Sequence, residues 1–85
     1  MRAVFEPEFQ AHLHTWIAND RRTALKIMDL VADIQRTPFD GLGKPEALKH
    51  QYKGYWSRRI TQEHRLVYKA TDDEIRFISC FGHYL

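Results

Sequence analysis

The stretch Thr37–Lys49 carries Pro38, Gly41, Gly43 and Pro45. Regular structure does not run through that density of prolines and glycines, so the stretch reads as a loop. It divides the chain into halves with different apolar spacing. In the first half, residues 2–5 have the length of a short strand. Pro7 then sits where a first-turn proline is tolerated, because its missing N–H would have no helical partner. Phe9, Leu13, Trp16 and Ile17 follow at i, i+4, i+7 and i+8, one face of a helix. Asn19-Asp20 breaks that pattern and offers an N-cap for a second helix, whose stripe is Ile27, Leu30, Val31 and Ile34, with Leu25 and Met28 beside it. This helix must end near Arg36-Thr37, since the residue before Pro38 is pushed out of helical dihedrals. The short connection predicts an antiparallel helix hairpin.

Beyond the loop the signals are those of strands. Tyr52–Ile60, His64–Ala70 and Ile75–His83 are separated by the turn-like Thr61-Gln62-Glu63 and Thr71-Asp72-Asp73-Glu74. In the last strand Ile75, Phe77, Ser79 and Phe81 alternate with Arg76, Ile78 and Cys80. Short turns between strands predict an antiparallel meander. The expected fold is therefore α+β: an N-terminal helix hairpin packed on one face of a small, twisted, mainly antiparallel sheet. The opposite sheet face, less apolar, is free to be a site. In the strand from His64, alternation puts Arg65, Val67 and Lys69 on one face and Leu66, Tyr68 and Ala70 on the other, so Arg65 is expected to point away from the core.

At 85 residues a single domain, spanning 1–85, is expected. The chain has no run of about 18 apolar residues that would cross a membrane. Glu6 and Pro7 interrupt the N-terminus before an apolar signal-peptide core forms. Cys80 is the one cysteine, which excludes an intrachain disulfide and a thiolate metal cage. A cytoplasmic location is the expectation from these features.

Charge is uneven. Residues 44–69 hold seven Lys/Arg against two acids, while the rest of the chain holds six against nine. This basic block is interleaved with Tyr52, Tyr55, Trp56 and Tyr68, the composition of a surface that meets a polyanion. Gly41-Leu42-Gly43-Lys44 does not make a phosphate loop, because Pro38 stands where the first glycine belongs and Pro45 where Ser or Thr belongs. His12 and His14 lie two apart on a helix and cannot share an ion. His50, His64 and His83 lack cysteines at zinc spacing, so neither metal nor cofactor is expected. A lone strand cysteine is most simply a small buried hydrophobe. RNA, by contrast, brings its own nucleophile, the 2′-OH. A protein cutting it needs a base, an acid and cations for the charged phosphorane. Glu46 and His83 have the chemistry of base and acid; Lys49, Arg59 and Arg65 have that of the cations. A solvated charged face accounts for the same spacing, and spacing alone does not bring Glu46 to His83.

The runs Thr37-Pro38-Phe39-Asp40-Gly41-Leu42-Gly43-Lys44-Pro45-Glu46-Ala47-Leu48-Lys49-His50 and Ser57-Arg58-Arg59-Ile60-Thr61-Gln62-Glu63-His64-Arg65-Leu66-Val67-Tyr68, with the terminal His83-Tyr84, closely resemble the YoeB toxins of bacterial type II toxin–antitoxin systems, within the RelE/ParE superfamily. The resemblance covers essentially the whole chain. It implies a RelE/ParE-like fold with a site of microbial-RNase type. It also implies a ribosome-dependent mRNA endoribonuclease that enters the A site of the 70S ribosome and cuts the codon there, without metal or cofactor. The products would carry 2′,3′-cyclic phosphate and 5′-OH ends. By the same resemblance Glu46 is the general base, His83 the general acid and Arg65 the transition-state cation. Lys49, Arg59 and Tyr84 orient or neutralise the scissile phosphate, and Glu63 supports the site. The implied partners are mRNA, the ribosome, a YefM-like antitoxin and a second copy in a homodimer. Two features depart from the pattern: Leu85 follows Tyr84, and Phe81-Gly82 replaces a more polar, often basic pair. Two other functions are compatible with the residues: a ParE-like toxin that inhibits DNA gyrase without cutting RNA, and a non-catalytic RNA-binding module.

Overall fold

A computed structural model describes residues 1–83. Strand β1 (Arg2–Phe5) leads into helix α1 (Pro7–Asn19), helix α2 (Arg21–Arg36), and strands β2 (Glu46–Ala47), β3 (Tyr55–Arg59), β4 (Arg65–Ala70) and β5 (Glu74–Ser79), with one 3₁₀ turn at His50–Tyr52. The five strands form one sheet in the order β1-β5-β4-β3-β2. Neighbours from β2 to β5 run antiparallel, and β1 joins the far edge parallel to β5. The α+β class, the helix hairpin and the meander are as the sequence predicts.

Local chemistry explains the helix ends. Pro7 opens α1. Asp20 caps α2, its side chain accepting the Thr23 N–H at 3.2 Å and the Thr23 hydroxyl at 2.7 Å, and those bonds hold its carboxyl below the usual carboxylate range. α2 stops at Arg36, two residues before Pro38. The predicted stripe of α2 is buried throughout, whereas α1 buries Phe9, half-buries Leu13 and Trp16 and leaves Ile17 54% exposed. Both helices pack on the sheet face that carries Leu66 and Tyr68 of β4 and Ile75 and Phe77 of β5. Phe5 stacks on Phe77 at a centroid distance of 4.9 Å, tying β1 to that core.

Four details differ from the sequence reading. The loop contains a strand, because Glu46 and Ala47 pair with Ser57 and Trp56. The strand expected from Tyr52 begins only at Tyr55, after the 3₁₀ turn. In β5, Val67 opposes Ser79 while Tyr68 opposes Phe77, so Ile78 is an extra, bulged residue. The bulge reverses the alternation beyond it: Cys80, not Ser79, joins Ile75 and Phe77 in the core. Burial there pushes the Cys80 thiol up to about 12. Regular pairing also ends at Ser79 rather than continuing to His83.

Candidate active site

The face of the sheet opposite the helices is built from one row of cross-strand partners. Glu46 opposes Ser57, Ser57 opposes Val67, and Val67 opposes Ser79. Side chains at directly opposed positions share a face, so Glu46 stands at the open edge of a floor formed by buried Ser57, Val67 and Ser79. Arg65 lies two residues from Val67 on the same face. The segment carrying Glu46 and Lys49 is bracketed by two non-glycine residues in the left-handed region, Lys44 (φ 52°) and His50 (φ 58°). Such residues are uncommon and concentrate where the chain is forced into a special path. Leu48 extends the β2–β3 ladder by donating its N–H to the Tyr55 carbonyl at 2.9 Å.

A cleft of about 380 Å³ opens on this face, lined among others by Glu46, Lys49, Ser57, Arg65 and His83. Four predicted site residues from three distant parts of the chain thus meet around one volume. Arg65 is held by its Nη1, which donates to the Thr61 carbonyl at 3.0 Å. His83 arrives from the opposite side. Its predecessor Gly82 accepts the Arg65 N–H at 2.9 Å and turns at φ 92°, a conformation that favours glycine. The cleft combines a carboxylate, an ammonium, a guanidinium and an imidazole at the end of a sheet. That set can exchange protons at two points and neutralise an anion between them.

Other predicted site residues lie elsewhere. Arg59 directly opposes Arg65 across β3–β4 but lines a separate cleft with Lys26, Asp29, Leu30, Leu42, Gly43 and Lys44. Two arginines at opposed positions repel one another, an arrangement that an anion lying across them would relieve. Glu63 is exposed on the turn before β4 and is not among the residues lining the first cleft. Tyr84 lies outside the described residues. Ser57, not among the residues expected at the site, sits on the cleft floor opposite Glu46, on the strand face it shares with Arg59. The aromatics of the basic block mostly serve the fold. Tyr68 is fully buried, and Trp56 packs on the core and on Phe39 at 4.9 Å. Tyr55 carries the Lys69 ammonium over its ring at 5.2 Å.

One of the seven cations in the basic block is not at the surface at all. Arg58 is fully buried on the helix side of β3. Its Nη1 donates to Asp33 Oδ2 at 2.6 Å and to the Leu42 carbonyl at 3.0 Å. Its Nη2 donates to the Thr37 and Asp40 carbonyls at 2.6 and 2.9 Å, and its Nε to the Tyr68 hydroxyl at 3.2 Å. The Leu42 N–H and the Arg58 guanidinium together hold the Asp33 carboxyl below the usual carboxylate range. Arg58 therefore fastens the 37–42 loop from below, and the loop leads directly into β2 and Glu46.

The comparisons with known proteins concern nearly the full chain. Residues 5–84 match the family model described as YoeB-like toxin of bacterial type II toxin–antitoxin system. Toxin YoeB of Mycobacterium bovis is 51% identical over 85 residues, covering 99% of this chain and 100% of that protein. Among solved structures, a YoeB/ParE toxin from Agrobacterium tumefaciens superposes with a TM-score of 0.93 at 44% identity, covering 99% of this chain and 100% of the other. A YoeB dimer from Staphylococcus aureus gives a TM-score of 0.89 at 40% identity, over 99% and 98%. A heterotetrameric YoeB–YefM toxin–antitoxin complex from the same organism gives 0.87 at 40% identity, over 99% and 98%.

Proposed function

The chain belongs to the YoeB-like toxins of bacterial type II toxin–antitoxin systems, and on that premise we propose that it is a metal-independent endoribonuclease that cuts mRNA in the ribosomal A site. The observation that carries this reading is the meeting of Glu46, Lys49, Arg65 and His83 around one cleft. In the proposed reaction Glu46 takes the proton of the ribose 2′-OH, whose oxygen attacks the adjacent phosphorus. Arg65 and Lys49 neutralise the equatorial oxygens as negative charge builds on the phosphorane. His83 gives a proton to the departing 5′ oxygen. The products are a 2′,3′-cyclic phosphate and a 5′-OH, and no water or metal enters the step. Arg59 and Tyr84 are proposed phosphate contacts and Glu63 a supporting residue, as the family resemblance implies. The solved YoeB dimer and YoeB–YefM complex of S. aureus support a homodimer and neutralisation by a YefM-like antitoxin for this chain too.

Mapping mRNA 5′ ends after induction tests the reading. Cuts within translated codons are expected from the wild-type chain. General acids and bases contribute roughly 10²–10⁴-fold, so Glu46→Gln and His83→Ala should each lose at least ~10² in cleavage rate. Near-normal cutting by either variant overturns its role. Growth arrest with intact mRNA and damaged DNA replaces the nuclease with a gyrase inhibitor.

A further inference from the structure

The segment after β5 is not paired as a strand, yet its backbone is fully occupied at alternate residues. The Cys80 N–H donates to His12 Nδ1 at 3.1 Å, and the Cys80 carbonyl accepts the Trp16 indole N–H at 2.8 Å. His12 and Trp16 are one turn apart on α1, so both reach the same peptide neighbourhood. The Gly82 N–H donates to His64 Nδ1 at 2.9 Å, and the Gly82 carbonyl accepts the Arg65 N–H at 2.9 Å. Between them the Phe81 ring packs on His64 at 4.5 Å, Trp16 at 5.4 Å and His12 at 5.8 Å. Trp16 meets His64 edge-on at 4.9 Å, which fixes the plane of the imidazole. Phe81 thus supplies packing to this segment.

His64 is itself held rigidly. Its N–H donates to Thr61 Oγ1 at 3.1 Å, and its carbonyl accepts the N–H groups of Ile60 and Thr61 at 3.0 and 3.2 Å. The same Thr61 accepts Arg65 Nη1 through its carbonyl. One turn therefore sets the Arg65 guanidinium directly and reaches His83 through a single hydrogen bond to its predecessor.

We propose that His64 is a positioning residue for His83: its Nδ1, accepting the Gly82 N–H, latches the chain end to the start of β4 and aims the His83 imidazole into the cleft beside Arg65, with His12 as the outer half of the latch at Cys80. The proposal rests on the reading of His83 as the general acid. It assigns function to two histidines that do not line the cleft. A backbone donor left without its acceptor is paired by water instead, and the segment then samples other positions.

The test separates the hydrogen bond from the bulk of the ring. Asn offers an acceptor oxygen near the position of Nδ1; Phe keeps the aromatic packing and offers none. In His64→Phe the Gly82 amide should exchange with solvent about tenfold faster, as expected for loss of one net hydrogen bond. Single-turnover cleavage on saturating ribosomes should fall by about tenfold or more, with ribosome affinity unchanged, because a displaced acid affects the chemical step alone. His64→Asn should keep both values close to wild type. Equal Gly82 exchange in the two variants overturns the latch. An exposed Gly82 amide with full single-turnover cleavage in His64→Phe overturns its positioning role. If His64→Phe loses protection across the whole sheet, His12→Phe against His12→Asn, read at the Cys80 amide and by the same cleavage assay, decides in the same two ways. A wild-type chain that cuts no mRNA overturns the nuclease reading instead, while the exchange contrast still judges the latch.

Discussion

Arg58 and Arg59 are adjacent and carry the same charge, yet they have opposite fates because β3 sends successive side chains to opposite faces. Arg59 is exposed beside the second cleft, and Arg58 is buried against Asp33, Tyr68 and three loop carbonyls. A buried cation is tolerated only when paired and fully hydrogen-bonded. Replacing Arg58 by Met keeps much of its length but leaves Asp33 without its buried partner and the loop carbonyls without donors. The expected cost is about 3–5 kcal/mol in denaturant unfolding. A loss below about 1 kcal/mol would mean that the pair behaves like a surface ion pair. Cys80 shows the simpler logic: buried and with its thiol pushed up to about 12, it is a packing residue of the core.

Among the elements, the loop between α2 and β2 carries most of the specific geometry. Asp33, near the end of α2, accepts the Leu42 N–H at 2.9 Å. Gly43 gives its carbonyl to the Arg59 N–H at 2.6 Å. The chain is then delivered to Glu46 at the sheet edge. Gly41 sits at φ 120°, and a Cβ there would stand 2.2 Å from Asp33 Oδ2. Gly41→Ala therefore combines an unfavourable dihedral with a clash against a carboxylate that is already fixed. It should destabilise by more than about 1 kcal/mol and lower cleavage by shifting β2. Melting temperature and cleavage measured side by side check this; an unchanged pair shows that the loop is not held as described. At the other end of the site, the bulge at Ile78 matters equally. It turns Cys80 into the core and lets the following residues leave the sheet toward His64.

For the molecule as a whole, the two faces of the sheet differ: one packs against the helices in the core and the other opens the cleft. Carboxyls on both sides of the sheet add stability through lowered pKa values. Asp33 is lowered by the Leu42 N–H and by Arg58, and Glu74 by hydrogen bonds from Arg2 and Arg76. A carboxyl whose folded pKa lies below its unfolded value adds stability that is complete above the unfolded pKa, about 4. That stability is lost as pH falls through the folded value, where both states are protonated. Denaturant midpoints should therefore drop progressively below about pH 5. Asp33→Asn should be less stable at pH 7 but show a shallower acid decline. An equally steep decline in that variant assigns the acid sensitivity elsewhere.

The sequence by itself determined the parts whose causes are local. Pro7, Asp20 and Pro38 set the helix boundaries through the dihedrals and hydrogen bonds of their immediate neighbours. Period-four and period-two spacing separated helices from strands, and alternation put Arg65 opposite the core. The runs over residues 37–50 and 57–68, with His83-Tyr84, carried the family resemblance. Only the tertiary structure decided what depends on residues far apart in the chain. The burial of Arg58 requires Asp33, and the two-residue strand at Glu46 exists because β3 offers it an edge. The bulge that moves Cys80 inward forms between β4 and β5, and the two histidines that hold the segment before His83 reach it from α1 and from the start of β4. Local spacing fixes which way a side chain leaves its own element; what it meets there is fixed by the other elements that close around it.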